Sequence, residues 1–344
     1  MENKKLLVFF WLLSSLVLST GNGFKEVERG KVKLFVFGDS YADTGNSPAP
    51  VSISWNKPYG ITFPGIPSGR FSDGRVLTDY IASYLGIRSP MPYELKNLNP
   101  KSIKYGMNFA YGGTGVFKTQ VDLPNMTTQI DFFQQLIDKN VYTRQNLSSS
   151  IALVSLAGND YATYLAKNGS LEGLLALSRS VINQLMINLK RLNGLGFKKI
   201  AITGMQPLGC LPRNTASTYY RSCNAEGNDF SLSHNQLLKQ NLSTLNNEAA
   251  DPVCIYLDLY GAFFSALQIE QNPTGNLTNQ LKPCCAGVKG EDCGLVDENG
   301  QKKYAVCENR KQSFFWDSIH PSDVGWRTVY SALKPSLHSL PLLK

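Results

Sequence analysis

Short apolar runs alternate with longer stretches in which apolar residues recur every three or four positions. Residues 33–37, 151–156, 199–203 and 253–257 are dominated by Val, Ile, Leu, Phe and Ala, the pattern of strands buried on both faces. Leu174, Leu175, Val181, Ile182, Leu185, Met186, Leu189 and Leu192 fall at helical spacing and predict a long helix over residues 171–192. Shorter helices are predicted over residues 76–85 and 229–248, and a closing one over 322–333 with Ser322 as its N-cap. Strands alternating with helices imply a parallel sheet covered on both faces, with ligands bound beyond the carboxyl ends of the strands. Residues 58–74 are rich in Pro, Gly, Ser and Asp and predict a long surface loop.

The amino terminus breaks this pattern. Lys4 and Lys5 precede an uncharged run from Leu6 to Leu18, and small residues follow as far as Gly23. That is a signal peptide over residues 1–23, with an apolar core too short for a membrane span. No linker, repeat or second long apolar stretch follows, so a single soluble domain is expected over residues 24–344. Five Asn-x-Ser/Thr acceptor sites, at Asn125, Asn146, Asn168, Asn241 and Asn276, agree with a secreted, extracellular glycoprotein.

All seven cysteines lie beyond residue 209, and an oxidising compartment would pair them. Cys210 and Cys223 bracket a short loop and are expected to bond. Cys284, Cys285, Cys293 and Cys307 form a second cluster, where excluding the adjacent pair leaves two connectivities. Cys254 sits in an apolar run and is expected to be a buried free thiol. The later cluster lacks Cys-x-x-Cys steps, so no metal site is expected there. The net charge of +8 comes without any run of five basic residues. It reads as a scattered solvated surface and argues against nucleic acid as a partner.

The chemistry is concentrated in two segments. The strand-like run 34–37 ends in Gly38-Asp39-Ser40, which places a serine hydroxyl on rigid backbone at the mouth of a strand. Such a hydroxyl needs a base before it can act as a nucleophile. Of the three histidines, His234 falls mid-helix and His338 in a Pro/Leu-rich tail. His320 follows Asp317 by three residues and precedes a proline that stiffens the turn. An imidazole can take the serine proton and return it to a leaving alcohol, while the aspartate fixes its tautomer. An oxyanion needs preorganised donors; the chain offers the Ser40 N–H, a glycine N–H within residues 105–115, and the Asn159 amide. Asp39 and Asp43 invite a reading as paired glycosidase carboxylates, but that would leave Ser40 unused. They are expected to brace the turn or cap the element after it.

Four blocks in order give the chain a family likeness. Phe37-Gly38-Asp39-Ser40 with Asp43-Thr44-Gly45-Asn46, then Asn108-Phe109-Ala110-Tyr111-Gly112-Gly113, Gly158-Asn159-Asp160 and Asp317-Ser318-Ile319-His320-Pro321 resemble the blocks of the plant GDSL-type (SGNH) serine esterases and lipases. The resemblance implies a flavodoxin-like three-layer α/β/α sandwich and hydrolysis of carboxylic esters without a cofactor. It implies Ser40, Asp317 and His320 as the catalytic set, and Ser40, Gly113 and Asn159 as the oxyanion hole, with Gly113 preferred to Gly112. One departure is visible: Tyr41 stands where the namesake motif has leucine, and is expected to reshape the acyl pocket rather than abolish activity.

The chain is therefore expected to be a secreted serine hydrolase, acting as a monomer through an acyl-enzyme on an ester substrate: an acylated polysaccharide, a lipid or a small ester. An acyltransferase using the same site and a binding protein that keeps the scaffold are the alternatives.

Overall fold

The computed structural model describes residues 32–49, 51–98, 100–156, 158–269, 280–288 and 291–338. The expected signal peptide and the Asn276 acceptor site lie outside the described residues. Six strands, β1 (Leu34–Gly38), β2 (Met91–Pro92), β3 (Gly106–Asn108), β4 (Ile151–Ser155), β5 (Lys199–Thr203) and β6 (Cys254–Leu257), pair in parallel in the order β2-β3-β1-β4-β5-β6. The helices are α1 (Leu77–Tyr84), α2 (Met126–Asp138), α3 (Arg144–Ser148), α4 (Asn159–Ala166), α5 (Leu171–Leu195), α6 (Pro212–Thr215), α7 (Ala225–Glu248), α8 (Leu259–Ile269) and α9 (Asp323–Leu337).

The two-residue period of β1 sorts the core into two layers. Leu34 and Val36 pack with Leu77 of α1, Phe263 of α8 and Trp326 of α9. Phe35 and Phe37 pack on the other face with Phe133 of α2, Ile182 of α5 and Leu238 of α7. This is the expected three-layer α/β/α sandwich. The strands predicted from apolar runs are β1, β4, β5 and β6. The sequence pattern missed β2 and β3, which are two and three residues long and too short to show an alternation.

Three disulfides join Cys210 to Cys223, Cys284 to Cys307 and Cys285 to Cys293, and Cys254 is a buried free thiol. The last two bonds close an excursion after α8 that carries the antiparallel pair β7 (Cys285–Gly287) and β8 (Tyr304–Val306). Backbone N–H groups of Cys284 and Cys285 donate to the carbonyls of Phe315 and Trp316 at 3.0 and 2.7 Å, so the excursion is strapped to the segment just before Asp317. Among the described residues, no helix is long and apolar enough to cross a membrane.

The 58–74 segment is the predicted surface loop in its middle, where Ile61, Thr62, Pro64, Gly65 and Ile66 are exposed, but not at its ends. It has no helix or strand, yet Tyr59, Gly60, Ser72, Asp73 and Gly74 are buried. The Asp73 carboxylate accepts the N–H of Asp323 at 2.7 Å, which fastens the segment to the start of α9. Turn residues set its path, and its aromatic side chains turn inward.

The sheet changes winding direction at β1, which lies between β3 and β4. Gly38 ends β1 opposite Ser155 at φ +149°, and a Cβ there would stand 1.9 Å from the Ser155 carbonyl oxygen. Only a residue without a side chain lets the two strands stay paired to the point where Ser40 begins. Gly38→Ala is expected to cost at least about 3 kcal/mol of folding free energy, read as a lowered midpoint in chemical denaturation. An unchanged midpoint would mean that the strand ends can separate without loss.

Candidate active site

The turn that carries Ser40 follows directly from the end of β1. The N–H groups of Ala42 and Asp43 donate to the Asp39 carbonyl at 3.0 and 2.9 Å, winding residues 39–43 into one helical turn. From α2, the buried Gln129 amide accepts the Gly38 N–H at 2.8 Å and donates to the Gly38 carbonyl at 2.9 Å. This clamp was not visible in the sequence, because a glutamine inside an amphipathic helix carries no local signal.

The two acidic neighbours of Ser40 brace the site. Asp43 accepts the N–H groups of Gly45, Asn46, Ser47 and Gly112 and the Ser47 hydroxyl, at 2.7–3.1 Å. Burial raises its carboxyl above the usual range, and these donors pull against that rise. Asp39 accepts the N–H of Tyr41 and one amide hydrogen of Asn159, at 3.1 and 3.0 Å. Neither carboxylate stands free as a glycosidase acid would.

His320 arrives from the other end of the chain. Its Nε2 lies 2.9 Å from Ser40 Oγ, and its Nδ1 lies 2.8 and 2.9 Å from the two oxygens of Asp317. The hairpin that carries both residues is pinned by the Trp316 N–H donating to the His320 carbonyl at 2.7 Å. Asp317 Oδ1 accepts the N–H groups of Ile319 and His320, each at 2.8 Å. Burial pushes the Asp317 carboxyl up, but His320 and these backbone donors outweigh it and hold the group below its ordinary value. The carboxylate is therefore ionised, which fixes the N–H at Nδ1 and leaves Nε2 as an acceptor facing Ser40.

Three aromatic residues complete the surroundings. The ring of Phe71 lies 5.1 Å from that of His320. The Tyr59 hydroxyl donates to Asp317 Oδ2 at 2.7 Å. Tyr41 is 1% exposed, so it does not reshape an acyl pocket as the sequence suggested. Its hydroxyl donates to the Ile319 carbonyl at 2.9 Å, and its ring meets Trp326 edge-on at 5.1 Å. Tyr41 thus ties the serine turn to the histidine hairpin. For Tyr59 and Phe71 the available signal was a large aromatic residue inside a turn-rich stretch, where solvent exposure would gain nothing.

The candidate oxyanion donors come from the ends of three strands. Among the described residues, the N–H groups of Ser40 and Gly113 have no acceptor in the protein. The Gly112 N–H is taken by Ser47 Oγ at 2.8 Å and by Asp43, so of the two neighbouring glycines Gly113 has the available donor. Gly113 adopts φ +77°, a left-handed turn that suits glycine. Asn159 opens α4 and shares its amide between Asp39 and the Thr114 carbonyl, each at 3.0 Å. An anion in the site would have to take the place of Thr114. Among the described residues, no group of three or more His, Cys, Asp or Glu side chains gathers as metal ligands do.

Residues 34–333 match the family model described as GDSL-like lipase/acylhydrolase. A GDSL esterase/lipase from Arabidopsis thaliana is 49% identical over 342 residues, covering 96% of this chain and 95% of its own. Acetylajmalan esterase 2 from Rauvolfia serpentina is 31% identical over 330 residues, covering 88% and 90%. Among solved structures, the Geobacillus stearothermophilus acetylxylan esterase Axe2 aligns over 89% of this chain and 94% of its own, at 14% identity and a TM-score of 0.42.

The remaining histidines have other places. His338 lies beside Tyr84. His234 is buried in α7 with Nδ1 2.7 Å from the Tyr161 hydroxyl, and burial pushes it down to about 4. A histidine lowered on folding binds fewer protons in the native than in the unfolded state, so its contribution is full above pH 6.5 and is lost as pH falls toward 4. The shift corresponds to roughly 3 kcal/mol. Relative to His234→Gln, the wild type should therefore lose stability between pH 6.5 and 4, measured by denaturant titration at each pH. A difference between the two proteins that does not change with pH would sink this assignment.

Proposed function

Because the chain belongs to the GDSL-like lipase/acylhydrolase family and is a carboxylic ester hydrolase, we propose that it works through an acyl-enzyme on Ser40, with His320 as the base and Asp317 as its partner. The observation that carries this reading is the line from Ser40 Oγ through the His320 ring to Asp317, with Oγ 2.9 Å from Nε2 and Nδ1 2.8 Å from the carboxylate. Ser40 Oγ attacks the ester carbonyl as its proton passes to Nε2, and the ionised Asp317 stabilises the imidazolium. The carbonyl oxygen becomes an oxyanion, received by the N–H groups of Ser40 and Gly113 and by the Asn159 amide, which exchanges Thr114 for it. His320 then gives its proton to the leaving alcohol. Water, deprotonated by the same nitrogen, releases the acid and restores Ser40.

Export is part of the proposal. A leader over residues 1–23 would direct one domain, residues 24–344, to an oxidising compartment. Three disulfides among the described residues fit that setting. Of the four acceptor sites among the described residues, Asn168 is exposed, in a left-handed turn after α4, and is the best placed of them to carry glycan.

Ser40→Ala is expected to lower hydrolysis of a short-to-long series of p-nitrophenyl esters by at least about 10³-fold. A fluorophosphonate should label the wild type on the peptide holding Ser40. Equal rates in the two proteins, or label elsewhere, would remove Ser40 as the nucleophile. Asn159→Ala should lower kcat by about 10²–10³ with KM little changed, as the loss of one oxyanion donor does. A change confined to KM would place Asn159 in substrate binding instead.

A further inference from the structure

We infer that Tyr59 is a positioning residue for the Asp317–His320 pair, setting the basicity of the imidazole by sharing the carboxylate with it. The inference rests on the reading of Ser40, His320 and Asp317 given above.

Asp317 Oδ1 is met by the two backbone donors of its own hairpin and, at 2.9 Å, by His320 Nδ1. Oδ2 is met only by side chains: His320 Nδ1 at 2.8 Å and the Tyr59 hydroxyl at 2.7 Å. Both residues are buried, Asp317 at 6% exposure and Tyr59 at 2%, so solvent is a poor substitute for the phenol. Burial, and then the Asp317 charge, raise the Tyr59 phenol well above its ordinary value. It stays a proton donor at any pH where the site works.

The phenol is held there from outside the triad. Tyr59 donates its N–H to the Asn56 carbonyl at 3.0 Å, and its ring meets Trp316 edge-on at 6.1 Å. It packs in one cluster with Cys284, Cys285, Cys293 and Tyr304 of the disulfide-closed excursion. A Cβ on Gly294 would come within 3.4 Å of its ring. Trp316, Cys284 and Cys285 are also the residues whose backbones strap the Asp317 hairpin. One rigid unit thus fixes both ends of the Tyr59–Asp317 hydrogen bond.

A carboxylate oxygen that accepts two donors offers less negative charge to each. Removing the phenol concentrates the charge of Asp317 on His320 Nδ1 and favours the imidazolium. More of the base is then held protonated than in the wild type at the same pH, and Asp317 gains freedom to turn. Other ionisable groups facing this hairpin are Asp39 and Tyr41 on the serine turn, Asp292 near Tyr59, and Arg213, whose N–H donates to the Ser318 carbonyl. None of these is altered by removing one hydroxyl from Tyr59.

The test is the titration of the His320 ring followed by NMR, assigned with His320→Ala, alongside the pH profile of kcat/KM on a p-nitrophenyl ester. Tyr59→Phe keeps the ring and its packing. It should move the His320 titration and the acidic limb of the profile upward by about half a unit to one unit, and lower kcat roughly tenfold. Difluorotyrosine placed at position 59, a stronger donor, should move the titration downward. Tyr41→Phe removes a phenol that donates to a neutral carbonyl of the same hairpin, and should leave the titration in place. If neither change at position 59 moves His320, or if Tyr41→Phe moves it as far as Tyr59→Phe, Tyr59 only packs and the inference fails. The NMR titration needs no turnover. A wild type that hydrolyses no ester would therefore count against the proposed function, while the His320 shift would still decide the role of Tyr59.

Discussion

A carboxylate taken out of water must be met by donors or give up its charge, and the site of this protein is organised around two that are met. Asp43 collects N–H groups from the segment after Ser40 and from Gly112, so one carboxylate joins the first and second sequence blocks. Asp317 does the same for the hairpin that carries His320. The donors are backbone N–H groups of the turns themselves, joined by the Ser47 hydroxyl at Asp43 and by His320 and Tyr59 at Asp317. The turns at the ends of β1 and β3 are therefore held relative to each other with little freedom, and the Ser40–His320 distance follows from that frame.

Much of this was legible in the sequence, for local reasons. A serine after an apolar run, and an Asp three residues before a His, are arrangements in which neighbouring residues already carry the chemistry. The apolar runs of β1, β4, β5 and β6 likewise announce themselves without distant partners. What escaped depends on residues far apart. Gln129 clamps Gly38 across 91 positions of chain, and Tyr59 reaches Asp317 across 258. Composition made residues 58–74 look like solvent-facing turn, because it counts Gly and Pro and cannot show which way Tyr59 and Phe71 point.

Tyr41 shows how a departure from a motif can be misread. Against a leucine, a tyrosine at this position suggests a change in what the substrate meets. Folded, it faces the core beneath the nucleophile, and its one polar atom finds the Ile319 carbonyl. A buried phenol needs such a partner, and the histidine hairpin supplies it. The tyrosine therefore ties the serine turn to the histidine hairpin from the buried side. The disulfide cluster settled in the same way: spacing left two pairings, and the strapping of Cys284 and Cys285 to residues 315 and 316 goes with the 284–307 and 285–293 bonds.

Ser40 and His320 stand 280 positions apart, at opposite ends of the folded chain. During synthesis the serine turn emerges with the first strand, and 280 further positions must follow before His320 is made. A ribosome-bound chain thus has no Ser40–His320 pair until the hairpin before α9 has emerged, and a chain cut short of Asp317 never acquires one. For a carboxylic ester hydrolase, the contact between Ser40 and His320 is thus withheld until everything from the first strand to that hairpin has been made.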